Sequence, residues 1–269
     1  MTSDPARFVG DIPDYYDRLL GPALFQAYAE DLARRAVLRA PRAVLETAAG
    51  TGLVTRVLRD RLHPAATLTA TDLSAPMLEA ARAKFRPDEL VTFETSDALA
   101  LRFPNGSFDC VLCQFGWMFF PDKNAALREA RRVLKPRGRL LFNVWDAPRY
   151  NPFARIGIEV VDRFFPYDPP KFLQTPFSWP DIDPIKEALF AAGFTNLAIS
   201  VVPRVQKLSD TEVFARGLVF GSPLIEQIRA RGRVAADAVV EALTAALAEE
   251  FGAPAQLPMQ AIVFDASKA

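Results

Sequence analysis

Apolar positions along the chain recur at two spacings, and the order in which those spacings alternate predicts the architecture. From Pro22 to Arg39 the apolar residues Leu24, Phe25, Tyr28, Leu32 and Val37 fall at helical intervals, which predicts a helix with its proline at the start. Val44 and Leu45 are a short β-favouring apolar pair, and helical spacing resumes over Leu53–Leu62. Ala66–Asp72, Leu90–Thr95, Asp109–Gln114 and Leu140–Asp146 read as four further strands. Helices open at Ser74, a candidate N-cap, and over Lys123–Lys135, which should stop before Pro136. Strands alternating with helices in this way predict a doubly wound, mostly parallel α/β sheet. Later segments add a helix at Asp181–Ala192 capped by Gly193, a half-exposed strand at Phe194–Val202, and a last strand at Pro258–Phe264. Between those two strands, Thr211–Gly252 reads as several helices broken at Gly221-Ser222-Pro223 and Gly232. Seven strands are expected in all.

The first strand runs into Glu46-Thr47-Ala48-Ala49-Gly50-Thr51-Gly52 and then directly into a helix. A strand that turns sharply into a helix gathers backbone N–H groups and a positive dipole end at one place. Gly50 and Gly52 lack a Cβ, so a ligand can press against the turn. Dinucleotide-binding turns need G-x-G-x-x-G/A. Counting from Gly50 puts Thr55 at the third position, and counting from Ala48 puts Leu53 there. Neither fits, and the Glu46 carboxylate would repel a diphosphate while suiting a cation. Asp72 ends the second strand about 20 residues past the turn, where a carboxylate accepts two hydrogen bonds from ribose hydroxyls.

The run Glu46–Gly52 resembles the first motif of class I S-adenosylmethionine (SAM)-dependent methyltransferases, and Asp72-Leu73-Ser74 with Met77-Leu78 resembles the second. The family often has glycine where Ala48 stands; alanine fits there if its φ stays negative. The resemblance, over most of Tyr16–Val202, implies a Rossmann-like methyltransferase fold and a SAM site with S-adenosylhomocysteine (SAH) as product. It implies contacts from Glu46, Ala48, Gly50, Thr51, Gly52, Asp72, Leu73 and Met77, with Leu73 and Met77 lining the adenine pocket. It further implies Ser96, Asp97 and Ala98 near the adenine amino group, Gln114 and Phe115 after the fourth strand, and Tyr16 over the methionine end. Asp97 reads equally as an Asx turn closing its strand, and Tyr16 as an aromatic staple. The branch resembled includes quinone-biosynthesis enzymes, so the implied reaction is methyl transfer to a small, apolar or aromatic acceptor. An NAD-type oxidoreductase and a non-catalytic module on the same fold are the competing readings.

Composition narrows the remaining chemistry. Half of the 269 residues are apolar, enough for a large core, and the 32 acidic and 32 basic residues cancel, which argues against a nucleic-acid partner. The opening Met1-Thr2-Ser3-Asp4-Pro5 lacks a signal pattern, and no apolar run approaches membrane-spanning length, so a cytoplasmic location is expected. Cys110 and Cys113 are three apart on a strand and so face opposite ways, as core thiols rather than a redox or metal pair. His63, the single histidine, belongs in a loop at the amino ends of the strands, and no metal site is expected. The cluster Arg128, Arg131, Arg132, Lys135, Arg137 and Arg139 reads as a solvated helix face. The chain is expected to be one domain over 1–269, with N-terminal helices at 11–39, an aromatic-rich helical lid at about 147–183 and a late helical insertion at about 209–252. Within the lid Tyr150, Phe153, Tyr167 and Trp179 are the expected acceptor contacts, and Tyr16, Tyr150 and Tyr167 the candidate bases. No catalytic residue is assigned.

Overall fold

The structure, a computed structural model, describes residues 8–268; the reading of the first five residues as lacking a signal lies outside them. Seven strands form one sheet in the order β3-β2-β1-β4-β5-β7-β6. They are β1 (Ala43–Glu46), β2 (Thr67–Asp72), β3 (Val91–Thr95), β4 (Phe108–Gln114), β5 (Leu134–Trp145), β6 (Phe194–Leu208) and β7 (Ala255–Lys268). The first five pair in parallel, and β7 inserts antiparallel between β5 and β6. Strand order reverses at β1, so the carboxyl ends of β1, β2 and β4 open a crevice, the usual ligand position in such sheets. Helices cover both faces of the central strands, while the edge strands β3 and β6 stay partly exposed. Helices α2 (Gln26–Val37) and α3 (Leu53–Arg61) cover one with Leu32, Val54 and Leu58. The other face carries α5 (Lys123–Val133), α6 (Pro152–Phe164) and α7 (Ile182–Ala191). Helix α4 (Ala75–Arg82) follows β2, and α8 (Thr211–Phe220), α9 (Leu224–Arg231) and α10 (Ala236–Phe251) stack on α6 and the N-terminal segment. Among the described residues no helix is long and apolar enough to cross a membrane.

Three element boundaries differ from the sequence reading for identifiable reasons. Pro22 does not begin a helix. It lies inside a continuous helical run made of α1 (Ile12–Tyr15), a π-helical stretch Tyr16–Phe25, and α2. The wider π turn, in which Gln26 N–H reaches Gly21 O, accommodates a proline that an α-helical ladder would not. Helix α5 stops at Val133 rather than Lys135, because Leu134 is already extended and paired with Phe108. Strands β6 and β7 run on past β5 as a two-stranded ribbon, from Val202–Ala261 to Leu208–Ala255. Pro203 is tolerated because β6 is an edge strand.

The cysteines separate as the strand pattern requires: Cys110 and Cys113 are free and buried in hydrophobic clusters on opposite faces of the sheet. Burial pushes both thiols up to about 12. His63 is exposed in the α3–β2 loop, where its Nδ1 accepts the Ala65 N–H at 3.1 Å.

Candidate active site

The turn after β1 is fixed by its neighbours on both sides. Thr47 N–H donates to Leu112 O and Ala49 N–H to Thr71 O, each at 2.9 Å, so the chain leaves the sheet in a set direction. Three of its residues then take left-handed backbone: Ala48 at φ 52°, Gly50 at 56° and Gly52 at 76°. For Ala48 this corrects the expectation of a negative φ. Left-handed alanine costs about 1–2 kcal/mol, and the surroundings hold it there. A Cβ at Gly116, on the loop after β4, would lie 2.5 Å from the Ala48 Cβ, so glycine at 116 makes room for alanine at 48. Gly52 serves packing: a Cβ there would lie 2.7 Å from the Ala81 Cβ of α4. Thr51 turns its hydroxyl to Asp17, 2.6 Å away, tying the turn to the π-helical segment.

Above the turn lies a cleft of about 540 Å³, and most of the residues expected at a cofactor line it: Tyr16, Ala48, Gly50, Asp72, Leu73, Met77, Ser96, Asp97, Ala98, Gln114 and Phe115. Glu46 and Thr51 line a smaller void beside it, which shares Tyr16, Ala48, Gly50 and Gln114 with the cleft; Gly52 is in neither wall. Asp72 already accepts the N–H groups of Gly50 and Ser74, both at 2.8 Å, and burial raises its pKa against the pull of those bonds. Ser74 occupies the N-cap position without capping, because its hydroxyl donates to Phe8 O at 3.2 Å. Asp97 closes an Asx turn by accepting the Leu99 N–H at 2.9 Å while still facing the cleft, so its two readings coexist. Glu46 is buried, and burial above all pushes its carboxyl up to about 8.

Behind the cleft is a second, apolar chamber of about 90 Å³. The π-helical segment supplies Leu20, Leu24 and Phe25; β5 supplies Trp145; α6 supplies Phe153 and Gly157; residues 172–177 and α8 close the rest. Its floor is Phe115, in left-handed backbone at φ 50°, with its ring stacked on Trp145 at 4.1 Å. Asn143 accepts the Phe115 N–H both through its side-chain Oδ1 at 3.0 Å and through its backbone carbonyl at 3.2 Å, which over-determines that conformation. Chamber and cleft share four wall residues, Phe8, Tyr16, Phe115 and Phe119. Burial, helped by the charges of Asp72 and Asp17, holds the Tyr16 phenol above its usual range.

The expected acceptor contacts divide. Phe153 lines the chamber, but Tyr150, Tyr167 and Trp179 do not. Tyr167 is 98% exposed on a proline-flanked loop, and Tyr150, 44% exposed, borders a groove beside β6 and β7. Trp179 packs on Trp117 and Phe142 as part of the core. The sequence reading missed Phe8, Phe25, Phe119, Trp145, Phe172, Phe177 and Leu218 as site residues; each carries the same apolar signature as the core. The basic cluster is also not a uniformly solvated face. Arg139 is buried against Asp265, Arg132 binds Glu129 and the carbonyls of Leu101 and Phe103, and Arg131 donates to Gly193 O. Among the described residues no group of acidic, histidine and cysteine side chains could hold a metal.

Comparison with known proteins agrees with this geometry. A family profile described as "Methyltransferase domain" matches residues 45–142, the segment from β1 into β5. Demethylmenaquinone methyltransferase from Thermus thermophilus is 38% identical over 133 residues, 49% of this chain and 60% of that protein. The enzyme of the same name from Thermotoga maritima is 34% identical over 176 residues, 60% of this chain and 75% of the relative. The chain spans 60% or less of the length of the first curated relatives it matches. The solved structure of Haemonchus contortus phosphoethanolamine N-methyltransferase 2 superposes with a TM-score of 0.60 at 18% identity, covering 97% of this chain and 61% of the other, which establishes the shared fold. On its turn, its sheet order and these relatives together, the chain belongs to the class I SAM-dependent methyltransferases, in the branch that holds the quinone-biosynthesis C-methyltransferases.

Proposed function

We propose that the chain binds SAM in the polar cleft and transfers its methyl group to a small aromatic or apolar acceptor, of the quinone kind, held in the adjoining chamber. The observation that carries this reading is the shared wall of Phe8, Tyr16, Phe115 and Phe119, where a polar cleft meets an apolar chamber. The cleft suits SAM on its own chemistry. Glu46 Oε2, Gln114 Oε1 and Ser96 Oγ are buried and lack hydrogen-bond partners among the described residues, an arrangement that favours a ligand bringing donors and positive charge. Asp72 keeps lone pairs for the ribose hydroxyls, Leu73 and Met77 flank the adenine, and Asp97 faces its amino group. When bound, SAM supplies an electrophilic methyl carried by a sulfonium.

The protein's own contribution is to hold the acceptor against that methyl group and to exclude water. Positioning at near-attack distance can supply much of the rate of an in-line displacement. Among the described residues only two hydroxyls, those of Tyr16 and Ser222, border the chamber. The phenol of Tyr16 stays protonated, and Ser222 donates to Leu218 O at 2.7 Å. The acceptor should therefore be nucleophilic without a base drawn from the chamber. On this reading the chain works as a single domain in the cytoplasm, with residues 147–183 and 209–252 as the lid.

Calorimetric titration with SAM, SAH and NADH tests the cofactor: micromolar binding of the first two and no detectable NADH binding is expected, and tighter NADH binding would refute it. Transfer of labelled methyl from SAM to a short-chain demethylmenaquinol separates an enzyme from a non-catalytic binder. Hydrogen exchange across residues 150–179 should slow on adding SAH and acceptor; uniformly slow exchange without ligand would rule out an opening lid.

A further inference from the structure

Part of the basic cluster after α5 converges on a place far from the cleft. Lys135, Arg137 and Arg139, at the start of β5, meet Arg39 and Arg42, from the α2–β1 connection, around a concavity of about 250 Å³. It lies at the amino ends of β1, β4 and β5, whereas the cleft lies at the carboxyl ends of the parallel strands. Among the described residues Asp109 is the one carboxylate in its wall, and it is fully engaged. Its Oδ2 accepts the backbone N–H groups of Arg42 and Ala43 at 2.9 and 2.8 Å, and its Oδ1 accepts from Lys135 at 2.8 Å. Arg139 is spent on Asp265 and on Arg35 O. Among the described residues Arg39, Arg42 and Arg137 have no carboxylate partner, while Lys135 and Arg139 each have one. Arg42 is steadied through Nη1 against His63 Nδ1 at 3.0 Å.

The backbone around the concavity is unusual as well. Ala40 and Arg137, both in its wall, hold left-handed backbone at φ 45° and 62° without being glycine. Such conformations gather at ligand-binding sites. Gly138 is required beside them, because a Cβ there would lie 2.8 Å from the Lys135 carbonyl oxygen. Arg39 and Arg137 border the hollow at exposed positions, while the Arg42 guanidinium turns to His63. Guanidinium is the group whose planar donors match phosphate oxygens in pairs. The chain is neutral overall, and Arg39, Arg42 and Arg137 border one hollow of about 250 Å³. That favours a small ligand over a nucleic-acid backbone.

We propose that this basic hollow binds a small phosphate-bearing polyanion, at a site separate from the methyl-transfer cleft. Calorimetry with inorganic pyrophosphate, at fixed ionic strength and with SAH saturating, tests it on the full chain. One saturable site per chain is expected, and the Arg39→Gln, Arg137→Gln double variant should weaken it at least tenfold without changing SAH binding. Arg39→Gln alone, at an exposed position, should weaken it several-fold and serves if the double variant fails to fold. A parallel titration with ADP separates the sources: tighter binding than pyrophosphate points to a nucleotide, and equal or weaker binding to a free phosphate compound. Absence of saturable pyrophosphate binding, or equal affinity in the variants, would overturn the proposal. So would salt-sensitive binding of an RNA duplex in place of pyrophosphate.

Discussion

Replacing Glu46 by glutamine should make the protein more stable at neutral and alkaline pH while impairing its hold on the cofactor. Glu46 is 1% exposed, and its Oε2 has no hydrogen-bond partner among the described residues. Burial is the main cause that moves its pKa from the ordinary 4.5 to about 8; the Thr55 hydroxyl opposes the shift and the Asp72 charge adds to it. The folded protein thus keeps a proton that the unfolded chain releases. Stability from this group is complete below the unfolded value of 4.5 and drains away as the pH climbs toward 8. At about 1.4 kcal/mol per pH unit, the loss between pH 5 and pH 8 is roughly 3 kcal/mol. Glutamine keeps the shape and does not titrate. Urea unfolding of both proteins at the two pH values measures the difference, in which depressed carboxyls elsewhere, such as Asp31 and Asp109, cancel. A difference between the two proteins that does not change with pH would refute the reasoning. Cofactor binding gives a second readout. A bound cation should drive the proton off Glu46, so SAM affinity should rise by up to about tenfold per unit from pH 6 to pH 8 and stay flat in the variant. Calorimetry in two buffers of different ionisation heat counts that proton directly.

Asp72→Ala should weaken SAM and SAH by about 2–3 kcal/mol, since charged hydrogen bonds are the stronger kind. It should also lower the melting temperature, because the Gly50 and Ser74 N–H groups lose their acceptor; a lower melting temperature with normal SAH affinity would make Asp72 purely structural. Gly116→Ala should destabilise by about 1–3 kcal/mol, the usual range for overpacking, because the new Cβ meets Ala48 Cβ at 2.5 Å and Cys113 Sγ at 2.7 Å. Adding Ala48→Gly should recover part of that loss and also remove the left-handed penalty, whereas strict additivity in denaturant melts would show that the two positions do not touch.

What could be read from the chain before its structure follows from how local each feature is. Strands β1, β2, β4 and β5 announce themselves because a buried parallel strand is a short apolar run between turn residues, and the cleft is built where those runs end. Glu46, Asp72, Ser96 and Gln114 therefore fall in or beside one crevice without any knowledge of side-chain packing. The sign of φ at Ala48 was not legible, because it depends on Gly116, 68 residues later, leaving room for the methyl group. The π-helical stretch was hidden for a similar reason. Its apolar spacing resembles that of an α-helix, and only its packing on α8 shows why a wider turn is held there. A Cβ at Gly217 would lie 2.9 Å from Leu20 Cδ2, and one at Gly221 would lie 3.0 Å from the Tyr16 backbone N.

The apolar chamber was harder to read for a deeper reason. It is assembled from Leu20 to Phe25, Phe115 to Phe119, Trp145, Phe153 and residues 172–222, pieces scattered over the whole chain. In every piece the side chains are those of an ordinary core, and what distinguishes the chamber is only that atoms are missing from its middle. Counting aromatics in the lid finds a real enrichment, but only some of those rings line the chamber. Phe153, Phe172 and Phe177 turn inward, while Tyr150 and Tyr167 point away and Trp179 finishes the core. The polar half of the site differs in kind, because a buried carboxylate with an unpartnered oxygen is costly in any ordinary core. Glu46 stands out in the sequence for the same physical reason that it stands out in the structure. Residues that would be a liability in a finished fold mark the cleft, and residues that would be unremarked in one build the chamber.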